Sequence, residues 1–148
     1  MTVDRFTNWI DVRRAKPQTE ESGSRGLVAT CRETFVAFGV PEELSSDGGP
    51  EYTSKEFGDF LQRWGVRQRT SSAYHASSNG RAVVAVKSAK RALRDNTGDD
   101  GKLDGDAFMR ALLVLRNTPD RETGMSPAQL LLGRPLRGVM PYLSLIHI

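Results

Sequence analysis

The order of elements written in this sequence, β-β-α-β-α-β-α-α-α, predicts an α/β layered fold. Three observations carry it. Short apolar runs bounded by turn residues alternate with longer stretches of helical periodicity. Most of the helical stretches carry a recognisable start or stop residue. The composition, 38% hydrophobic and 26% charged over 148 residues, suits one soluble globular domain with a real core.

Val3–Phe6 and Trp9–Val12 read as two short strands around a tight turn at Thr7-Asn8. The polar stretch 17–24 is a loop entering a helix. There Leu27, Val28, Cys31, Phe35 and Phe38 recur at helical spacing, and Gly39 supplies the stop. Residues 40–46 form a strand, and Asp47-Gly48-Gly49-Pro50 is turn chemistry. Thr53 and Glu56 have capping-box spacing, ahead of a helix with Phe57, Phe60, Leu61 and Trp64 on its apolar face and Gly65 at its end. Val66–Ser71 is the next strand. Residues 74–78 form a loop, and Asn79 is placed to cap a basic helix. Asp104 caps the following helix, which carries Phe108, Ala111, Leu112 and Leu115 and stops near Thr118-Pro119. Ser126-Pro127 opens a short final helix.

Several function classes are excluded early. No apolar run is long enough to span a bilayer, and the N-terminal residues lack the pattern of a secretory signal. The single cysteine, Cys31, can form no intrachain disulfide and no Cys-based zinc site, which suits a reducing, intracellular compartment. The net charge of +3 is a weak indication of an acidic partner, but its distribution is informative. Arg81, Lys87, Lys90, Arg91 and Arg94 fall in a stretch without acids, and Asp95, Asp99, Asp100, Asp104 and Asp106 follow it. A solvated surface and a phosphate-binding face both fit that pattern.

The basic helix holds an anomaly. With position 83 set at zero and each residue advancing about 100°, Ala82, Val86, Ala89 and Leu93 cluster between about −60° and −120° and form the core face. Lys87, Lys90 and Arg94 lie between about −20° and +40°, and Val83 sits among them. The first turn of a helix favours an acid, because its free N–H groups and dipole are positive there. Val83 is therefore an apolar residue where an acid belongs, unless a neighbouring loop covers it. Asp47, at a strand end among glycines, is the carboxylate such an acid would work with; it could equally cap its own turn. Thirty-five residues separate Asp47 from position 83.

These stretches together resemble one family. SSDGGPEYTSKEF, WGV, SSAYHASSNGRA and AVKSAKRAL are similar to the catalytic core of integrases from gypsy-like long-terminal-repeat retrotransposons, and more distantly to retroviral integrase cores. RNTPDRETGMSPAQLLLGRPLR resembles the segment that follows that core, and VDRFTNW its second strand. The resemblance implies a ribonuclease-H-like fold, a mixed five-stranded sheet flanked by helices. The core would occupy residues 1–118 and a post-core helical segment 119–142. Residues 143–148 (LSLIHI) fit no family pattern; they resemble a translated sequencing adapter and read as a non-native tail. The family's first, central strand would lie upstream of residue 1, leaving unpaired strand edges on both sides of a gap.

The resemblance also implies a site of three acids, an Asp on the first strand, an Asp after the fourth, and a Glu opening the basic helix. Asp47 matches the second, and Val83 stands at the position of the Glu. The implied activity is DNA integration, in-line displacement at phosphorus by an enzyme with two Mg²⁺ (or Mn²⁺) ions about 4 Å apart. Valine offers no lone pair, so metal binding here is expected to be weak. At about 4 kcal/mol of transition-state stabilisation per ion, losing one would cost roughly 10³-fold in rate. Asp4 and Asp11 are not the family's metal ligands. The acidic loop 95–106 departs from the EF-hand pattern and reads as solvated.

Lys87, Lys90, Arg94 and Arg81 would meet DNA phosphates. Tyr74 and His75 would flank the site, Tyr74 either stacking on a base or packing. Asn79 would cap the helix or touch DNA. The expected partners are DNA (element ends and target DNA) and further copies of the chain, with no membrane, and the expected location is the nucleus. Two hypotheses follow: an integrase core that is catalytically defective, and a non-enzymatic nucleic-acid-binding or multimerisation module derived from a decayed element. An unrelated basic α/β protein would require the motif spacing to be accidental.

Overall fold

The computed structural model describes residues 1–13, 23–70 and 80–139. Its elements are β1 (Thr2–Val3), β2 (Ile10–Asp11), α1 (Gly23–Phe38), β3 (Glu43–Ser46), α2 (Lys55–Arg63), β4 (Arg67–Thr70), α3 (Gly80–Asp95), α4 (Gly105–Asn117) and α5 (Pro127–Leu132). The chain divides into two compact units, residues 1–12 with 79–148, and residues 13–78.

In the first unit β1 and β2 pair antiparallel, Thr2 opposite Asp11 and Val3 opposite Ile10. The expected strands 3–6 and 9–12 are shorter than their apolar patterns suggested. Asp4 is the cause. Its carboxylate accepts hydrogen bonds from the Thr7 amide (3.1 Å) and hydroxyl, and the Thr7 hydroxyl accepts from the Trp9 amide (3.2 Å). A side chain that bonds nearby amides gives the backbone an alternative to the ladder. Asn8 completes the turn at φ 60°, a conformation asparagine tolerates.

Two strands of two residues cannot stand alone. Ile10, Ala89 and Leu112 form a buried cluster, with Val3, Val12 and Ala85 packed against it. Arg116 on α4 reinforces it. Its Nε and Nη2 donate to the Ile10 carbonyl at 3.1 and 2.6 Å, its Cζ lies 4.2 Å from the Trp9 ring centre, and Asp11 is 3.7 Å away. α4 begins where expected, Asp104 accepting from the Ala107 amide at 3.0 Å. α5 opens on a full capping box between Ser126 and Gln129, with Pro127 following the cap.

The second unit packs α1 and α2 beside the parallel pair β3–β4, in register from Glu43 opposite Arg67 to Ser46 opposite Thr70. Val28, Cys31, Phe35, Phe57, Phe60, Leu61 and Val66 form its core. Phe35 and Phe60 stack at 5.8 Å, and Phe57 meets Tyr52 edge-on at 5.7 Å. Gly39 (φ 94°) and Gly65 (φ 70°) follow their helices in the left-handed region that a side chain would strain. The cap of α2 is Ser54, not Thr53: Ser54 Oγ accepts from the Phe57 amide at 3.2 Å, while the Thr53 hydroxyl is held by the Gly49 and Pro50 carbonyls. The turn places Ser54 three residues before the first buried phenylalanine amide.

The strands therefore form two separate pairs, β1–β2 and β3–β4, and no further strand bonds to either pair among the described residues. The single five-stranded sheet that the family resemblance implied is not formed by these four strands. Among the described residues, no helix is long and apolar enough to cross a membrane.

Candidate nucleic-acid interface and the acidic position

α3 carries most of the singled-out residues. Ala89 is fully buried, and Val86 and Leu93 are half-buried, so the helix turns its expected face inward. Lys87, Lys90 and Arg94 are all exposed. Val83 is 40% exposed on this cationic face. Position 83 is in the first turn of the helix, and that turn holds no acidic residue. Lys87 and Lys90 make no hydrogen bond or ion pair among the described residues. Arg81 lies in the same first turn, and its side chain is outside the described residues, as are Tyr74, His75 and Asn79 and the tail 143–148.

Asp95 was missed as part of this surface, and Arg91, named in the basic stretch, was not given its acidic partner. Asp95 is the last residue of α3 and not part of the acidic loop to which the sequence assigned it. Its Oδ2 lies 3.6 Å from Arg91 Nε and its Oδ1 3.7 Å from Arg94 Nε. The four-residue spacing of Arg91 and Asp95 was the available signal.

Asp47 belongs to the other unit, just after β3. It is exposed, and its Oδ1 accepts a hydrogen bond from the Gly49 amide at 3.2 Å. A Cβ on Gly49 would meet that oxygen at 3.2 Å, so the glycine leaves room for the carboxylate to fold back on its turn. Asp47 thus performs the turn-capping role in this state. Burial, and second the charge of Asp47, hold the Tyr52 hydroxyl above the usual phenol range. Other acids near the strands are committed elsewhere, Asp4 to its turn, Asp11 to Arg116 and Glu43 to Arg67 and Arg69.

Residues 96–104 fold back on themselves. A bridge pairs Thr97 with Leu103, the Asp104 amide donates to the Asn96 carbonyl, and Asp100 accepts from the Lys102 amide at 3.0 Å. Among the described residues, no group of three His, Cys, Asp or Glu side chains is gathered closely enough to hold a metal ion. Val83 offers no oxygen to a hard cation, which takes oxygen ligands.

The model of the integrase core domain family matches residues 1–76. The Pol polyprotein of feline endogenous virus ECE1 is 30% identical over 90% of this chain. The chain spans 12% of that relative, and about a tenth of the length of the curated relatives it matches. Two solved structures share the fold. One is the simian T-cell lymphotropic virus intasome in complex with the PP2A regulatory subunit B56 gamma (TM-score 0.71, 21% identity, 94% of this chain and 49% of the other). The second is the HTLV-2 integrase catalytic core in complex with magnesium, in a trimeric form (TM-score 0.65, 21% identity, 87% and 80%).

Proposed function

This chain belongs to the integrase core domain family, and on that premise we propose that it is the core of a retroelement integrase that binds DNA without joining it. The observation that carries the reading is the outer face of α3. Lys87, Lys90 and Arg94 stand exposed there, around a valine that is exposed in the place of an acid. Ammonium and guanidinium groups on one helical face meet successive backbone phosphates and release the counterions condensed on them. Such contacts position a protein on DNA without reading sequence.

Catalysis is where the chain departs from its family. Asp47 remains, but Val83 can neither ligate a cation nor hold a proton. With valine at position 83 the chain has no second carboxylate to support a metal-assisted step, and its affinity for Mg²⁺ is weak. The parent protein assembled into oligomers on element ends and target DNA and worked in the nucleus. The likeness to an intasome and to a trimeric core supports the assembly. A second reading, a non-enzymatic binding or multimerisation module, draws on the same face: Val83 is lost to chemistry while the cations around it are retained.

Binding is tested by fluorescence anisotropy of the full chain on a duplex between 50 and 200 mM salt. Three phosphate contacts give a slope of log K against log salt of about −2.7. Replacing Lys87 and Lys90 with alanine lowers its magnitude by about 1.8 and weakens binding equally on unrelated sequences. A slope near zero, or one that ignores both substitutions, overturns the reading.

A further inference from the structure

Asp95 sits where a helix disfavours it. It is the last residue of α3, next to the negative end of the helix dipole, where a cation would be stabilising and an anion is not. The helix end does not need its side chain. Asn96 Nδ2 donates to the Ala92 carbonyl at 2.8 Å, the Thr97 hydroxyl to the Leu93 carbonyl at 2.6 Å, and the Thr97 amide to the Arg94 carbonyl at 3.2 Å. The carbonyls of Ala92, Leu93 and Arg94 are served by those two residues.

What Asp95 does contact is a pair of guanidinium groups. One carboxylate oxygen lies 3.6 Å from Arg91 Nε and the other 3.7 Å from Arg94 Nε. Both arginines are largely solvent-exposed, and so is the acid. Lys87 and Lys90, about two turns and one turn before Asp95, have no such anion among the described residues. Among the described residues the cationic face is thus divided into two unpaired ammonium groups and, toward the helix end, two guanidinium groups sharing a carboxylate. A carboxylate and a phosphate offer arginine the same ligand chemistry, two anionic oxygens to one planar fork.

We propose that Asp95 acts as an internal competitor for the DNA backbone, holding Arg91 and Arg94 until a phosphate displaces it. The inference rests on the reading of α3 as a DNA-binding face and adds its regulation. The separations exceed hydrogen-bonding distance and the groups are exposed, so the exchange is easy. Asp95 therefore tunes affinity and does not block it. Lys87 and Lys90 make the first contacts, and the arginines join as phosphate replaces carboxylate. The net effect of the acid is a weaker complex and fewer counterions released.

The test uses the full chain and the duplex anisotropy titration across salt, with Asp95→Asn and, as a second neutralisation, Asp95→Ser. Both tighten binding about three-fold at low salt and steepen the slope by about one. Asp106→Asn is the control, because it removes the same charge from an exposed pair on α4, where Asp106 lies 3.0 Å from Arg110. It changes affinity by less than about two-fold. If neither Asp95 variant binds more tightly while Lys87→Ala with Lys90→Ala still weakens binding, the competitor role fails and the DNA-binding reading stands. If Asp106→Asn matches Asp95→Asn, the effect is one of net charge and the inference is overturned. If the lysine substitutions leave binding unchanged, the DNA-binding reading fails and this inference with it.

Discussion

Replacing Arg116 with methionine removes the side chain that anchors β2 to α4. The loss has three parts. Both nitrogens of the fork donate to the Ile10 carbonyl, and Ile10 is buried, so methionine leaves that oxygen without its donors. A hydrogen bond from a charged donor contributes about 1.5–3 kcal/mol. The contact with the Trp9 face at 4.2 Å adds about 1 kcal/mol in this half-buried setting. The pair with Asp11 adds a few tenths to about 1 kcal/mol. These terms share one guanidinium and do not add fully, so the expected loss is about 3 kcal/mol. Burial lowers the Arg116 pKa while Asp11 opposes the shift, and the group stays charged at neutral pH. Arg116→Lys keeps the charge but loses the fork, and is expected to lose about half as much. Urea unfolding, followed by circular dichroism and tryptophan fluorescence, reads both variants as a lower midpoint at unchanged slope. A methionine variant within about 0.5 kcal/mol of the parent would refute the anchor, and so would a lysine variant that loses nothing.

Other consequences follow from single contacts. Burial raises the Cys31 thiol from 9.0 to about 11. Below pH 9 the thiol is neutral in both states and costs nothing. Between pH 9 and 11 it ionises first in the unfolded chain, so stability falls with rising pH by up to about 2–3 kcal/mol, and Cys31→Ala removes that part of the slope in urea melts at graded pH. Phe57 is fully buried against Tyr52 and Phe60, so Phe57→Ala lowers stability by about 3–5 kcal/mol, read from the same melts. Ser126→Ala breaks a capping box on a buried hydroxyl and costs about 1–2 kcal/mol, with faster amide exchange confined to the start of α5.

Much of this architecture could be read from local chemistry. The 3.6-residue recurrence of Val28, Cys31 and Phe35 marks the buried face of α1, and Ser126-Pro127 marks a helix start, because both signals are complete within a few residues. Phe38 continues that recurrence in sequence but is 42% exposed, since it is the last residue of the helix. Thr53 and Ser54 are adjacent hydroxyls, and sequence alone does not say which one faces the open amides. The shortening of the first two strands is a side-chain effect of Asp4 that an apolar pattern does not register. Position 83 was legible as an outward position because a helical wheel needs only the period. The anchoring of Ile10 by Arg116 was not, since the two are 106 residues apart and nothing local to either announces the other. Asp95 was read as loop because it begins a run rich in aspartate, although its spacing from Arg91 already marked a helical pair.

On the proposed function, position 83 separates binding from chemistry. This separation is tested most directly by incubating the full chain with labelled duplex DNA and Mg²⁺ and resolving the strands for cleavage or joining. The expected result is a retained, salt-sensitive complex in which no phosphodiester bond is cut or made. Cleavage or joining that requires Mg²⁺ and is abolished by Asp47→Asn would contradict it, because a site with valine at position 83 would then be catalytically competent.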